Sequence, residues 1–571
     1  MVLQGVLLSG VIDAESVSLG IWFLIGAALV FFMQSGFAMV ETGFTRAKNA
    51  GNIIMKNLID FCIGALAFML IGFSLMMSKA YFSGWVGVPD FTMLTDFASF
   101  LESGECPKFV FNVVFCATAA TIVSGSMAER TKFSAYCIYS LVISAVVYPI
   151  EAGWVWNSQG WLAKLGFTDF AGSCAIHMVG GITALIGAIF VGPRLNKYTK
   201  DAKGNTVVNA IPGHSLTLGA LGVFILWFGW FGFNGAAASS TAQLGQIFLT
   251  TTLAPAASTV TCMIYTWWKN GYPDVTMCLN ATLAGLVAIT AGCAYVNAIG
   301  AVLIGLIAGI LVVVGIEFLD NKLHIDDPVG AVAVHGLNGI WGTLAVGLFD
   351  TEYGLFYSNR FDLFFVQLLG VLAIAAYTTA CMTLTFFLIK KFMGLRVSKE
   401  DEIRGLDISE HALNSAYADF QMSAPTHTIE EEFDVDLEDL APIALTDSEA
   451  RGGQKFTKIT IICNEEKFGV LKDVMAVIGV TGMTVSNVVG CGVQKGRSGS
   501  YRGVRMSMNL LPKVKVEIVV STVDPGLVVA AAKKALYSGE VGDGKIFVTD
   551  ITDVMRVRTG SMGLKALNDE D

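Results

Sequence analysis

The sequence predicts an all-α polytopic membrane domain of eleven helices, followed by a small α/β domain of ferredoxin-like (βαββαβ) order. Three observations predict it: an apolar composition, recurrent membrane-length runs, and an abrupt change of character near residue 393. Of 571 residues, 54% are hydrophobic and only 15% charged, where soluble domains carry about a quarter charged residues. Apolar runs of about 18 residues or more can each cross ~30 Å of hydrocarbon. Eleven such spans are expected, starting near residues 18, 51, 108, 132, 171, 213, 243, 275, 297, 330 and 362. The 61 glycines suit close helix packing in lipid.

Loop charges orient the spans. With the N-terminus outside, the inner ends hold thirteen Lys and Arg, among them Arg46, Arg130, Arg194, Lys269 and Lys390; the outer loops hold Lys79, Lys108, Lys164 and Arg360. This bias places the N-terminus outside and the C-terminus in the cytoplasm. No Lys or Arg precedes the first span, unlike a secretory signal peptide. The eleven cysteines are scattered, form no C-x-x-C pair, and read as small apolar fillers.

His177 in SCAIHMVGG and His335 in GAVAVHGLNG lie deep inside apolar segments. A charge at membrane depth costs ~2.5–3.5 kcal/mol on insertion scales, so such a group is expected to face a pathway, a partner or a ligand. Each histidine holds a similar place in its own half, which predicts two copies of one design around a shared pore. Two neutral imidazoles can share a hydrogen bond and leave one donor and one acceptor along the pore. A dry pore has no ring of oxygens to replace the water around K⁺ or Na⁺.

Beyond residue 393 the character changes. Residues 394–454 carry fifteen Asp and Glu against four Lys and Arg, a net −11 within a chain of −10, so the acidity is local. The reading divides the chain into a membrane domain (1–393), its cytoplasmic C-terminal region (394–419), an acidic flexible linker (420–453) and a regulatory domain (454–571). As a coil the linker would span roughly 30 Å. Within the last domain KFTKITIIC, MTVSNVVGCGV and VKVEIVVST read as strands, with helices at EKFGVLKDVMAVIG and GLVVAAAKKALYSG and a closing strand at KIFVTDI. That is the βαββαβ order. The long polar segment QKGRSGSYRGVRMSMNLLPK between the second and third strands is a candidate functional loop.

The motifs ETG, MAERTKFSA, TDFAGSCAIH, FGWFGFNGA and DDPVGAVAVHG, in this order over residues ~15–418, resemble ammonium transporters of the Amt/Mep/Rh family. The resemblance implies a homotrimer. Each subunit would hold its own pore between inverted five-helix repeats, with an eleventh helix outside them. It also implies roles. Trp156 and Asp169 mark the outer ammonium-recruitment site, where an aromatic face attracts a small cation. Phe115 and Phe233 form a stacked gate with Phe111 and Trp230 beside it, and His177 and His335 line the pore. Unlike K⁺, NH₄⁺ can release a proton and cross as NH₃ with the proton conducted separately. Ala237 stands where the family usually has a Ser that helps to bind the cation, which predicts weaker recruitment or a bias toward sensing. As residues alone, Phe115, Phe233 and Trp230 are also ordinary core aromatics, and Asp169 is also an N-cap for the next helix. Ala412 stands where the tail usually has Gly, and Arg404 where it has an acidic residue.

GMTVSNVVGCGVQKGRSGSYRGV, LLPKVKVEIVV, GEVGDGKIFV and DVMRVRTG resemble PII signalling proteins of the GlnK type, over residues ~455–560. The resemblance implies trimers that bind ATP or ADP between subunits, take 2-oxoglutarate through Mg²⁺-ATP, and dock a long T-loop on ammonium transporters. Gly542, Asp543, Gly544 and Lys545 then form the phosphate loop, and Arg556 and Arg558 reach phosphate from a neighbouring subunit. Thr484, Gly490, Gly492 and Glu517 line the nucleotide pocket. Gln494 contacts Mg²⁺ and 2-oxoglutarate, and Lys513 pairs with a carboxylate. Tyr501, Arg502 and Gly503 form the tip that plugs the transporter's cytoplasmic exit. ADP or low 2-oxoglutarate is expected to insert that tip, and Mg²⁺-ATP with 2-oxoglutarate to withdraw it. Met506 stands where enteric-type proteins have a modifiable Tyr, so that modification is not expected. Val493 and Cys491 depart from the usual basic residue and Phe, which predicts altered ligand affinities.

Two other classes stay open at this point. A receptor would bind ammonium yet conduct little, and Ala237 favours it slightly. An ATP-hydrolysing enzyme is disfavoured: GEVGDGKI nearly fits a P-loop, but Ile546 replaces the Mg²⁺-binding hydroxyl. Nucleic acid is not an expected partner.

Overall fold

The computed structural model describes residues 14–201, 203–413, 416, 456–480, 482–490, 499–501, 504–506, 511–539 and 542–567. They fall into two compact units, Met1–Ala416 and Tyr417–Asp571.

Among the described residues of the first unit, ten helices are long and apolar enough to cross a membrane: Glu15–Phe44 (span 1), Ala47–Met77 (span 2), Cys106–Ser126 (span 3), Phe133–Lys164 (span 4), Ser173–Val191 (span 5), Leu216–Gly235 (span 6), Thr241–Asn270 (span 7), Ala298–Leu323 (span 9), Val332–Phe349 (span 10) and Asp362–Phe392 (span 11). Span 8, Val275–Thr290, is shorter. The eleven expected spans are thus all present, each starting within a few residues of its expected position. Several begin on a polar cap that takes up an orphan N–H. Ser215, Ser240, Asp274 and Asn297 each accept from the backbone N–H two or three residues into spans 6, 7, 8 and 9. Span 8 stays short because it runs through the protein interior: every residue from Asn280 to Thr290 is buried.

Span 1 lies along span 6. Five spans per copy make the second copy enter the bilayer from the opposite side, so the two copies are inverted. Spans 5 and 10 cross at glycines. A Cβ at Gly181 would sit 2.1 Å from the backbone nitrogen of Gly336, closer than any real contact. The crossing therefore needs a bare backbone at Gly181, one helical turn after His177.

On the face that carries the chain's acidic tail, buried charges tie the loops together. Glu129, at φ 74 after span 3, accepts from Arg46 N at 2.8 Å and Arg46 Nε at 2.5 Å, and pairs with Arg194 at 3.4 Å. Arg194 grips Asp326 with Nε at 2.8 Å and Nη2 at 2.9 Å. Arg130 donates to the Asp326 and Gly192 carbonyls. The tail packs onto the same face. Glu402 accepts from Leu195 N at 2.7 Å and Arg396 at 2.6 Å, while Asp407 accepts from Gly51 N and Asn52 N at 3.0 and 2.7 Å. The tail's short helix Leu406–His411 ends on Ala412 at φ 52, the left-handed region that glycine occupies without strain.

The second unit has β1 (Phe456–Cys463), α1 (Phe468–Val477), β2 (Thr484–Gly490), β3 (Gly499–Tyr501), β4 (Val504–Met506), β5 (Leu511–Val520), α2 (Pro525–Leu536) and β6 (Lys545–Ile551). The main sheet runs β6-β1-β5-β2, all antiparallel. Alternate residues of β1 and β5 (Ile459, Ile461, Val514, Val516, Ile518) bury against Leu471 and Met475 of α1 and Val528 and Ala532 of α2. This is the expected ferredoxin-like arrangement, with β3 and β4 as a separate small pair between β2 and β5.

Two outcomes follow. Gly181→Ala should force spans 5 and 10 apart, lowering the apparent Tm of the detergent-solubilised protein or preventing its assembly; an unchanged melting curve would contradict the close crossing. For Glu129, burial pushes the carboxyl up, but Arg46 and Arg194 outweigh it and hold it at about 2, against 4.5 for an ordinary Glu. The folded chain then binds fewer protons than the unfolded one between these values. The stabilisation is therefore complete above about pH 4.5 and lost as pH falls below it. Glu129→Gln should lose about 3–5 kcal/mol at pH 7 and flatten the acid limb of a Tm-against-pH profile.

Candidate functional site

The site begins with two matching turns. Asp169 accepts four backbone N–H bonds, from Gly172 (2.8 Å), Ser173 (3.0 Å), Cys174 (2.9 Å) and Ala175 (3.0 Å). A carboxylate at a helix N-terminus also answers the helix dipole. Gly172 supplies φ 108 at the turn. The first turns of span 5 are widened, with His177 N reaching back to Gly172 O at 3.0 Å. In the second copy Asp327 accepts from Gly330 N (3.1 Å) and Val332 N (2.8 Å), Gly330 has φ 83, and the first turns of span 10 are widened in the same way. Asp-x-x-Gly stands eight residues before the histidine in both copies. Asp169 therefore caps its helix as expected, but from three residues before the N-cap, which is Gly172. Burial raises the Asp169 carboxyl from its ordinary range, and the four N–H bonds oppose that rise.

These turns aim both imidazoles at one point. His335 Nδ1 and His177 Nδ1 are 3.2 Å apart, with ring centroids 5.2 Å apart. Neutral rings satisfy that bond only as opposite tautomers, one Nδ1 donating and the other accepting. Both rings are buried. Trp230 stacks on His177 at 5.1 Å and is fixed by its Nε1–H to Thr290 Oγ1 at 2.9 Å. Phe233 lies 5.4 Å from His177 and stacks on Phe115 at 4.4 Å and 25°. Phe111 contacts Phe115 at 4.3 Å, and Trp156 lies 6.0 Å beyond Phe115, its Nε1–H on the Asp169 carbonyl at 2.8 Å. The result is one column of rings: Trp156, Phe115, Phe233, His177, His335. The column is apolar except at the imidazoles and the two indole N–H groups, which are both engaged.

All the pore residues expected from the sequence thus meet in one place. Ala237 does not join the column: it is exposed in the turn after span 6. Ser239 and Ser240 beside it are engaged with Gln243. Asp327, Gly172 and Gly330 went unnoticed in the sequence, although the repeated Asp-x-x-Gly spacing could have revealed them.

In the second unit Thr484 stands opposite Glu517 across β2 and β5. Glu517 pairs with Lys458 at 2.6 Å and Lys515 at 3.1 Å. Lys513 donates to the Gly542 carbonyl at 3.0 Å and to Asn464. Gly542 and Gly544 have φ 125 and 128, and Asp543 closes the loop by accepting from Ser538 N at 2.8 Å. A Cβ at Gly544 would sit 2.2 Å from Ile462 O, so the turn needs a bare backbone. Lys545 opens β6, Gly490 ends β2, and Arg556 and Arg558 follow β6 in a turn closed by Arg556 N to Ser561 O. Tyr501 ends β3. Gly492, Gln494, Arg502 and Gly503 lie outside the described residues.

A bundle of membrane spans around a buried, ring-lined path defines a membrane transport protein. The chain belongs to the Ammonium Transporter Family, whose model matches residues 21–417; residues 456–561 match the family described as Nitrogen regulatory protein P-II. The chain is 46% identical over 424 residues to ammonium transporter Amt2 of Archaeoglobus fulgidus, covering 70% of this chain and 88% of that one. It is 41% identical over 407 residues to a putative ammonium transporter of Synechocystis, covering 68% and 87%. Among solved structures, a sensor Amt protein matches with a TM-score of 0.65 at 39% identity, over 69% of this chain and 98% of that one. Mep2 of Candida albicans matches at 0.59 and 25%, over 67% and 87%.

Asp169→Ala would leave buried N–H groups without an acceptor, each costing about 1–3 kcal/mol. Its apparent Tm should fall further than that of Asp327→Ala, which removes fewer bonds. Equal, small losses would mean that the turns are held by something else.

Proposed function

We propose that the protein is a homotrimeric ammonium transporter of the plasma membrane, gated by its own PII-like domain. The observation that carries this is the buried imidazole pair at the end of a stacked aromatic column. NH₄⁺ is recruited at Trp156, with Asp169 fixing the turn behind it, and loses its proton at the Phe115–Phe233 gate. NH₃ passes the imidazoles, and the proton moves separately between ring nitrogens. The N-terminus lies outside and the tail face is cytoplasmic, in keeping with the lysine and arginine bias.

In the second unit the Gly542–Gly544 turn with Lys513 on its carbonyl would offer backbone N–H groups and a cation to a polyphosphate, with Lys545 beside it and Arg556 and Arg558 reaching in from a neighbouring subunit. ATP or ADP would be held there, with Mg²⁺ and 2-oxoglutarate reaching Gln494 and Lys513. Arg502 between Tyr501 and Gly503 would plug the exit, filling it and repelling an incoming cation. Residues 1–393, 394–419, 420–453 and 454–571 then act as transporter, coupling tail, linker and regulator.

A second reading, a sensor with little flux, is favoured by Ala237 and by the likeness to a sensor Amt protein. Electrophysiology on membranes holding the purified protein separates the two. A saturating, ammonium-dependent current supports transport; ammonium binding without current supports sensing. His177→Leu or His335→Leu should abolish the current or admit K⁺. An unchanged selective current in these variants would overturn the proton pathway.

A further inference from the structure

Beneath the histidines lies a second set of buried ionisable groups that the pore column does not use. Span 1 carries Glu41, 3% exposed. A small cavity of about 20 Å³ is lined by both His335 and Glu41, with Phe37, Asn280 and Val329 around it. That volume holds about one water molecule. Asn280 and Val329 also line a larger cavity of about 220 Å³ on the tail face, which contains Asp320, Asp326 and Asp327. The one-water space beside the carboxylate and His335 thus lies next to the larger cavity, with Asn280 and Val329 as their shared wall.

The groups facing Glu41 come from two neighbouring spans, 2 and 3. Asn57 Nδ2 donates to it at 3.4 Å, Ser124 faces it from span 3, and Lys56 and Asp60 act on it from span 2. Lys56 is fully buried, and its ammonium has no hydrogen-bond partner among the described residues; it sits 5.3 Å from the Tyr136 ring centroid. Asp60 differs, because Ser140 and Thr121 satisfy it from both sides. Glu41 is thus the weakly bonded carboxylate of the group and the one that meets the cavity.

We infer that Glu41 is the inner proton port of the pore, a site that takes the proton delivered along the histidine pair; this rests on the proposed separation of NH₃ and H⁺. The proton leaves a His335 ring nitrogen for the bridging water, and that water passes one of its own protons to a Glu41 carboxylate oxygen. The carboxyl then returns the proton to water that exchanges with the larger cavity across the shared wall of Asn280 and Val329. No charge is lost, and His335 returns to its neutral form ready for the next proton. Lys56 is a positioning residue, a buried cation that acts on that carboxyl from span 2.

The test uses the full chain in proteoliposomes and ammonium-evoked currents in H₂O and D₂O. Glu41→Gln should lower the current at least tenfold. Glu41→Asp, which keeps the acid but lengthens the gap, should retain a measurable current with a larger solvent-deuterium effect than the wild type, a readout that a packing role alone would not move. A wild-type current in Glu41→Gln overturns the port. If that variant does not fold, an unchanged current and deuterium effect in Glu41→Asp overturn it. Loss of current in His177→Leu but not in the Glu41 variants removes the port and leaves the pore reading standing; no ammonium current in the wild type removes both.

Discussion

One hydrogen bond, 3.2 Å between the Nδ1 atoms of His177 and His335, sets the terms for the membrane unit. Hydrocarbon supplies no partner for a buried imidazole, so each ring has to be satisfied by the other. That demands two helices crossing at backbone contact, which Gly181 and Gly336 allow. It demands that both helices start inside the protein at matching depths, which the Asp169–Gly172 and Asp327–Gly330 turns arrange. The widened first turns swing each ring off the ordinary helical position. Span 8, Trp230 and Thr290 then close the space behind His177. The aromatic column is a consequence: rings that stack on an imidazole exclude water from it without competing for its hydrogen bond.

The tail face solves a different problem. The loops joining the two copies carry the charges that orient the chain, and several of these are buried. Glu129, Arg194, Asp326 and Arg130 form a chain of partners in which each charge is answered, so that removing any one would leave an uncompensated ion. The tail joins this network through Glu402 and Asp407. Its helix ends at Ala412 in a left-handed conformation, where a non-glycine residue costs about 1–2 kcal/mol.

Much of this was legible beforehand, for physical reasons that differ by element. Membrane spans are readable because length and apolarity are the whole requirement. The histidine pair was readable because an ionisable group in an apolar run is expensive. The βαββαβ order followed from alternating periods, two in Ile459–Ile461–Cys463 and near 3.6 in the helix containing Leu471 and Met475. Span 8 kept its expected start, but its shortness depends on burial by its neighbours, which composition does not report. The Asp169 cap was expected one position too simply, because the turn depends on a positive φ at Gly172. Glu41 entered the sequence reading only within the ETG motif and Lys56 not at all, because only the packing puts one beside a cavity and leaves the other without a hydrogen-bond partner among the described residues.

Covalent fusion of a regulator changes what regulation has to achieve. A coil of the linker's length holds its cargo within roughly 30 Å, at an effective concentration near the millimolar range. A contact that would be weak between free partners is then mostly occupied, so binding is no longer the scarce event; release is. Moving a two-state equilibrium from 99:1 to 1:99 takes about 5.5 kcal/mol of differential affinity. On the proposed reading, a nucleotide alone has to favour the released form by that amount, or share the work with a second ligand. On the same reading, Val493 in place of the usual basic residue before Gln494 would alter what the second ligand contributes, and the phosphate turn would carry the rest.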